Sequence, residues 1–318
     1  MDVLSQEITD SYALYNGDCV EVVSWLPDNS IDFSIYSPPF ASLYTYSNSD
    51  RDMGNVKDDV EFFEHFDYLS EQLFRVIAPG RLMAVHCMNL PSTKARDGFI
   101  GLKDFRGDLI RQFQKHGFIY HSEVCIWKDP VLAMQRTKAL GLLHKQIKKD
   151  SAMSRQGLPD YVIVMRKPGA NKKPVSGEFT HYVGEQSLNN FIDHERDDGS
   201  TAQKRGEEGT SVDVWQHYAS PVWFDIRQTN TLQFREGRDS DDERHICPLQ
   251  LDVIERCMQL WSMPGDTVLS PFMGIGSETY MAVSMGRKAI GVELKTSYFD
   301  LACRNMRLAE KTQYNLFG

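Results

Sequence analysis

A doubly wound α/β sheet is the fold this sequence predicts, on three observations. Six short runs rich in β-formers, IDFSIY (31–36), LMAVHC (82–87), EVCIW (123–127), YVIVM (161–165), DTVLS (266–270) and KAIGVEL (288–294), are nearly unbroken in apolar character, as in strands covered on both faces. Helical patterns alternate with them at 60–77, 105–117, 249–261 and 277–286. Pro79-Gly80, Gly117 and Gly286 stand where those helices should stop.

Two stretches interrupt the alternation. Residues 130–158 carry a basic helical segment: from Lys128 to Lys173 there are eleven Lys or Arg and three Asp or Glu. Residues 168–244 are polar, with clusters such as ERDDGSTAQKRGEEGT and isolated aromatics at Trp215, Tyr218, Trp223 and Phe224. They read as an insertion, part flexible, outside the sheet. The expected division is a half ending in a proline turn (1–129), a basic insertion (130–158), a strand (159–168), a variable insertion (169–244) and a glycine-loop half (245–318). The chain of 318 residues has a net charge of −9, which opposes a uniformly basic nucleic-acid binder. A basic segment inside an acidic chain is compatible with an enzyme presenting one face to a polyanion. No apolar run approaches the roughly 18–20 residues of a membrane helix, and the acidic start is unlike a signal peptide. Cys19, Cys87, Cys125, Cys247, Cys257 and Cys303 include no CxxC pair. They predict buried thiols in a reduced, cytoplasmic setting and no metal.

Near the C-terminus, DTVLSPFMGIGSETYMAVSMGRKAIGVEL reads strand, tight loop, helix, strand. Gly274 and Gly276 permit a sharp turn and close ligand approach. Glu293 follows at the distance where an acid binds ribose hydroxyls in nucleotide-binding α/β units. Thr279 occupies the place of the third glycine of the dinucleotide fingerprint, which disfavours NAD and favours a nucleoside cofactor without pyrophosphate, S-adenosylmethionine. In IDFSIYSPPF a rigid turn ends a buried strand. Two prolines fix two φ angles and leave the preceding carbonyls free to accept. Ser37 adds a hydroxyl and Phe40 a flat ring, a combination suited to a planar base bearing an amino group.

Together these segments resemble β-class amino-DNA methyltransferases, the N4/N6 DNA methylases of bacteria and phages. LYNGDCVEVVSWLPDNSIDFSIYSPPF is similar to that family's opening segment and catalytic tetrapeptide, SPFMGIGSETYMAVSMGRKAIGVEL to its DPFxGxGT cofactor loop, and HICPLQLDVIERCMQL to its HPxQ-type segment. The resemblance covers roughly residues 14–130, 160–168 and 220–308. With the catalytic turn before the cofactor loop, it implies a circularly permuted, Rossmann-like methyltransferase sheet. It implies that Ser37, Pro38, Pro39 and Phe40 form the catalytic turn. It places Ser270, Pro271, Phe272, Gly274, Gly276 and Ser277 in the cofactor loop, Glu293 on the ribose, Asp18 near the adenine, and Cys247, Pro248 and Leu249 around the methionine end. Ser270 stands where the family usually has Asp, and Ser277 where it usually has Thr; the first change removes a carboxylate near the sulfonium.

The implied reaction is direct methyl transfer to the exocyclic amine of a base flipped from double-stranded DNA, cytosine N4 somewhat favoured over adenine N6 by the serine of SPPF. A C5-cytosine enzyme would need a Pro-Cys turn; the adjacent pair here, Cys247-Pro248, is reversed. The alternatives are a methyltransferase of RNA or a protein amine, and a catalytically silent DNA-binding relative. Arg136, Lys138, Lys145, Lys148, Lys149 and Arg155 are the expected phosphate contacts, with sequence reading assigned to 171–240. The expected partner is double-stranded DNA, with a homodimer admitted and neither membrane nor metal.

Overall fold

The computed structural model describes residues 3–40, 52–56, 58–92, 97–137, 144–153, 156–177, 179, 181–185, 211–233 and 248–317, the side chains of 134–137, 153, 212–213 and 312–317 excepted. In chain order the elements are β1 (Ser5–Ile8), β2 (Tyr12–Asn16), α1 (Cys19–Trp25), β3 (Ile31–Tyr36), α2 (Asp59–Val76), β4 (Ile77–Cys87), β5 (Leu90–Ser92), β6 (Gly101–Lys103), α3 (Phe105–Lys115) and β7 (Ile119–Ile126). There follow α4 (Pro130–Thr137), α5 (His144–Lys149), β8 (Asp160–Arg166), α6 (Ser211–Tyr218), β9 (Val222–Trp223), α7 (Leu251–Trp261), β10 (Thr267–Ser270), α8 (Ser277–Ser284), β11 (Lys288–Glu293) and α9 (Thr296–Phe317).

Among the described residues, nine strands form one sheet in the order β1-β2-β11-β10-β3-β4-β8-β7-β9. β2, β11, β10, β3 and β4 run parallel, and β8 enters antiparallel between β4 and β7. Each predicted apolar run is a strand, and both faces are covered. On one face α7, α8 and α9 bury Val253, Ile254, Met258, Met281, Ala282 and Met306 against Phe33, Ile35, Ala84 and Val268. On the other, α1, α2 and α3 bury Val23, Phe62, Phe66, Leu73, Leu109 and Phe113 against Ile31, Met83, Val85 and Leu269. Alternate residues of one strand serve opposite layers, so a strand buried on both faces must be apolar throughout.

Among the departures from expectation, three bear on the sheet. Val222–Trp223, inside the stretch expected to lie outside the sheet, pairs parallel with Cys125–Ile126 as an edge strand; fully buried Trp223 supplies the apolar contact that so short a strand needs. The polar SQEI run is strand β1, paired with β2; its exposed edge position needs no apolar run. β4 begins at Ile77, straight after α2, and passes through Gly80 at φ 76°. A side chain there would collide with the backbone of Asn171. No helix among the described residues is long and apolar enough to cross a membrane.

Candidate active site

Parallel strands align their carboxyl ends, and in open α/β sheets ligands bind at that edge, where successive connections depart to opposite faces. Here α8 joins β10 to β11 on one face and α2 joins β3 to β4 on the other, so the crevice lies between β10 and β3. Their register, Leu269 beside Ser34, puts the ends of both strands side by side. β10 leads into Pro271–Gly276; β3 leads into Ser37–Phe40. The glycine loop packs against the end of β3, the Phe272 ring centroid lying 5.8 Å from that of Tyr36, the residue before Ser37.

The glycine loop is shaped by its backbone. Gly274 (φ 54°) and Gly276 (φ 89°) are both left-handed, a region that penalises any Cβ. A Cβ on Gly274 would meet nothing within 4 Å, so this backbone faces open space. Glu293, at the end of β11, grips the loop: one carboxyl oxygen accepts from Gly274 N–H at 2.9 Å and the other from Lys295 N–H at 2.9 Å. Dehydration of the carboxyl pushes Glu293 up to about 7, against these backbone bonds. Asn16, buried at the end of β2, donates to the carbonyls of Glu293 (2.9 Å) and Leu294 (3.0 Å) and aligns the neighbouring strand end.

Asp18 caps α1, accepting from the N–H groups of Val20 and Glu21 at 2.8 and 3.1 Å; a capping carboxylate at a helix start is stabilised by the helix dipole as well. Leu249 is buried and Pro248 half-buried just ahead of α7, while Cys247 lies outside the described residues. Ser270, Ser277 and Pro271 are buried and Phe272 half-buried. Ser270 Oγ has no partner although it is fully buried, and the same holds for Gln250 Oε1 at the start of α7. Buried polar atoms are seldom left unpaired, and both orphans flank the crevice edge. Gln250, the last residue of the CPLQ run, was not singled out in the sequence; its signal was the glutamine of that run.

In the proline turn Pro38 is buried, and Ser37, Pro39 and Phe40 are half-buried. Phe40 meets Phe105 edge-on, centroids 6.3 Å apart at 63°, a favourable aromatic geometry. Ser37 Oγ lies 2.9 Å from His86 Nδ1 at the end of β4. His86 Nε2 lies 2.9 Å from an Asp160 carboxylate oxygen at the start of β8, which is also paired with Lys128. This chain joins three strand ends and was not anticipated from the sequence.

The basic insertion has a definite place. β7 runs parallel to β4, so the chain leaves at Ile126 and returns at Asp160 on the same edge as the glycine loop and proline turn. Lys145, Lys148 and Lys149 are exposed on α5. Arg136 belongs to α4, its side chain undescribed, and Lys138 and Arg155 lie outside the described residues. The structure thus gathers the turn, the loop, Asp18, Glu293 and the described lysines' segment along one edge.

A family model described as DNA methylase, of the N6/N4 type, matches residues 31–304. The chain belongs to the N6/N4 DNA methylase family. The type II methyltransferase M.BglII of Bacillus subtilis is 24% identical over 296 residues, covering 91% of this chain and 67% of that protein. M.MjaI of Methanocaldococcus jannaschii, also a type II methyltransferase, is 20% identical over 318 residues, covering 93% and 91%. The fold of this methylase matches a Thermus thermophilus protein crystallised with S-adenosyl-L-methionine, at TM-score 0.61, 20% identity, and 94% and 96% coverage. It also matches the cytosine-N4-specific PvuII DNA methyltransferase at TM-score 0.57, 15% identity, and 99% and 96% coverage.

Proposed function

We propose that this methylase transfers the methyl group of S-adenosylmethionine to the exocyclic amino nitrogen of a base flipped out of double-stranded DNA, cytosine N4 being the favoured target. The observation that carries this reading is the position of the two motifs at the adjacent ends of β10 and β3, with Phe272 of the glycine loop against Tyr36 of the strand that delivers Ser37. The residues suit the cofactor. The unpartnered hydroxyl of Ser270 and amide oxygen of Gln250 offer polar atoms to its methionine end. The open backbone at Gly274 leaves room for the nucleoside, and Glu293 and Asp18 would accept from ribose and adenine. When bound, the cofactor supplies an electrophilic methyl group on a sulfonium.

The remaining chemistry belongs to the chain. Flipping a base costs a few kcal/mol, and stacking on Phe40 returns roughly 1–3 kcal/mol. Ser37 Oγ and the Pro38 carbonyl accept from the two amino hydrogens, steering the nitrogen lone pair out of conjugation and toward the methyl. Holding the reacting atoms at about 3–3.5 Å supplies much of the acceleration. The Ser of SPPF supports cytosine N4, the basic insertion at the same edge supports a nucleic acid over a protein amine, and the match to the DNA methylase family supports DNA over RNA.

The test is incubation with methyl-labelled cofactor and DNA, RNA or protein in parallel, followed by nucleoside mass spectrometry. Label in DNA as N4-methylcytosine is expected. N6-methyladenine would replace the target base; label confined to RNA or protein, or in nothing despite cofactor binding, would overturn the reading.

A further inference from the structure

We infer that His86 is a positioning residue for the transfer, fixing the Ser37 hydroxyl and receiving, through it, the proton that the amine sheds. The inference rests on the proposed function and assigns the reaction a proton path. His86 is 9% exposed and Asp160 2% exposed. The distances Ser37 Oγ–His86 Nδ1 and His86 Nε2–Asp160 are both 2.9 Å, and Lys128 pairs with the same Asp160 oxygen. Burial pushes the Asp160 carboxyl up, but His86 and Lys128 outweigh it and hold the group below the usual carboxylate range.

An ionised Asp160 can only accept, so Nε2 carries a hydrogen, and in the neutral imidazole Nδ1 is then the acceptor. Ser37 must then donate to Nδ1. Its hydroxyl hydrogen is thereby turned away from the base, and its lone pairs face the amine. Without His86 the hydroxyl can rotate and offer a hydrogen to the nucleophilic nitrogen instead.

The path balances. The new nitrogen–carbon bond forms as the sulfur–carbon bond breaks with its electron pair left on sulfur, and the nitrogen becomes cationic. One N–H proton passes to Ser37 Oγ while the Ser37 hydrogen passes to His86 Nδ1. The imidazolium is held by Asp160 and later loses its proton to water. Among the described residues, the charged groups facing His86 are Asp160 and Lys128, while Arg106 and Glu123 close on each other at 2.7 Å. A His–Asp bond that merely ties β4 to β8 would involve no proton uptake.

The experiment compares parent, His86→Asn and His86→Ala by calorimetric binding of S-adenosylmethionine and of DNA, and by single-turnover methyl transfer across pH. Asn can hold a hydrogen bond but cannot take the proton. Expected are unchanged binding, a loss of roughly 10²–10⁴-fold in transfer rate, disappearance of the acidic limb of the rate–pH profile in His86→Asn, and partial rescue of His86→Ala by imidazole. Parent-like transfer by His86→Asn with the acidic limb intact would overturn the inference. Should the variants not fold, nitrogen-15 NMR of the parent decides: a bare Nδ1 on His86 is expected, and a hydrogen on Nδ1 sinks the proposal. A parent that methylates no DNA refutes the proposed function instead, and the NMR tautomer still reads His86 independently.

Discussion

The two edges of the sheet are built from the opposite ends of the same strands and differ in how they treat the groups buried there. At the amino edge each buried charge is paired. Arg81 donates to the Asp32 carbonyl at 2.6 Å and the Lys173 carbonyl at 3.0 Å and pairs with Asp266. Asp32 accepts from Thr267 N–H at 3.0 Å and Asp266 from Met263 N–H at 2.9 Å. Arg287 caps the carbonyls of Met258, Ser262 and Met285 at 3.2, 2.9 and 2.6 Å. At the carboxyl edge Ser270 and Gln250 hold orphaned polar atoms, Glu293 is driven up to about 7, and the Gly274 backbone faces open space. A fold that pairs the buried charges at one end can leave polar groups unsatisfied at the end where a ligand will satisfy them.

The largest expected effect breaks the amino edge. Arg81→Met strands the buried Asp266 carboxylate and leaves the Asp32 carbonyl without its donor, and should destabilise the protein by about 3–5 kcal/mol in denaturant unfolding. Adding Asp266→Leu should recover part of that loss; a single variant as stable as the parent would show that the edge does not carry the fold.

Variants of the carboxyl edge should divide by function rather than by stability. Glu293→Ala removes a charged acceptor worth about 1.5–3 kcal/mol, and Gly274→Asp adds a Cβ in left-handed backbone. Both should weaken S-adenosylmethionine binding while sparing DNA binding. Ser37→Ala and Phe40→Ala should bind the cofactor normally and lose most turnover, Phe40→Ala through roughly 1–3 kcal/mol of stacking. Calorimetry showing equal cofactor affinity in all four variants, or near-parent turnover in the last two, would erase the division.

A smaller effect concerns pH. Burial pushes Glu278, in the first turn of α8, up to about 8, from an ordinary value of 4.5. An acid raised on folding stabilises the folded state when protonated. That contribution is complete below 4.5 and is lost as pH rises through about 8. Thermal stability should therefore decline across that window, and Glu278→Gln should flatten the decline; an unchanged slope would contradict the assignment.

The smallest effect tests the reach of the carboxyl edge. Replacing Lys145, Lys148 and Lys149 by Gln should lower the salt slope of DNA binding by roughly 0.9 for each lysine that sits on a phosphate. An unchanged slope with unchanged low-salt affinity removes α5 from the interface.

The sequence by itself determined the alternation of strands and helices, because a strand buried on both faces must be apolar along its whole length. It also determined the two motifs, because each is a local strand–turn–helix event in which Pro38-Pro39 or Gly274 and Gly276 dictate the backbone. Elements whose reason for existing is a neighbour were illegible there. Polar β1 is a strand by virtue of β2, and Val222–Trp223 by virtue of β7. Helix α9 was also missed, although Phe299, Ala302, Met306 and Ala309 form a buried helical stripe. His86 and Asp160 were visible only as polar residues at the ends of apolar runs, a signal that does not say which residue meets which. Ser37, His86, Asp160 and Lys128 come together because β8 is inserted antiparallel between β4 and β7. That pairing joins residues far apart in the chain, such as Cys87 and Tyr161, so the tertiary structure alone decided that Ser37 would have a partner.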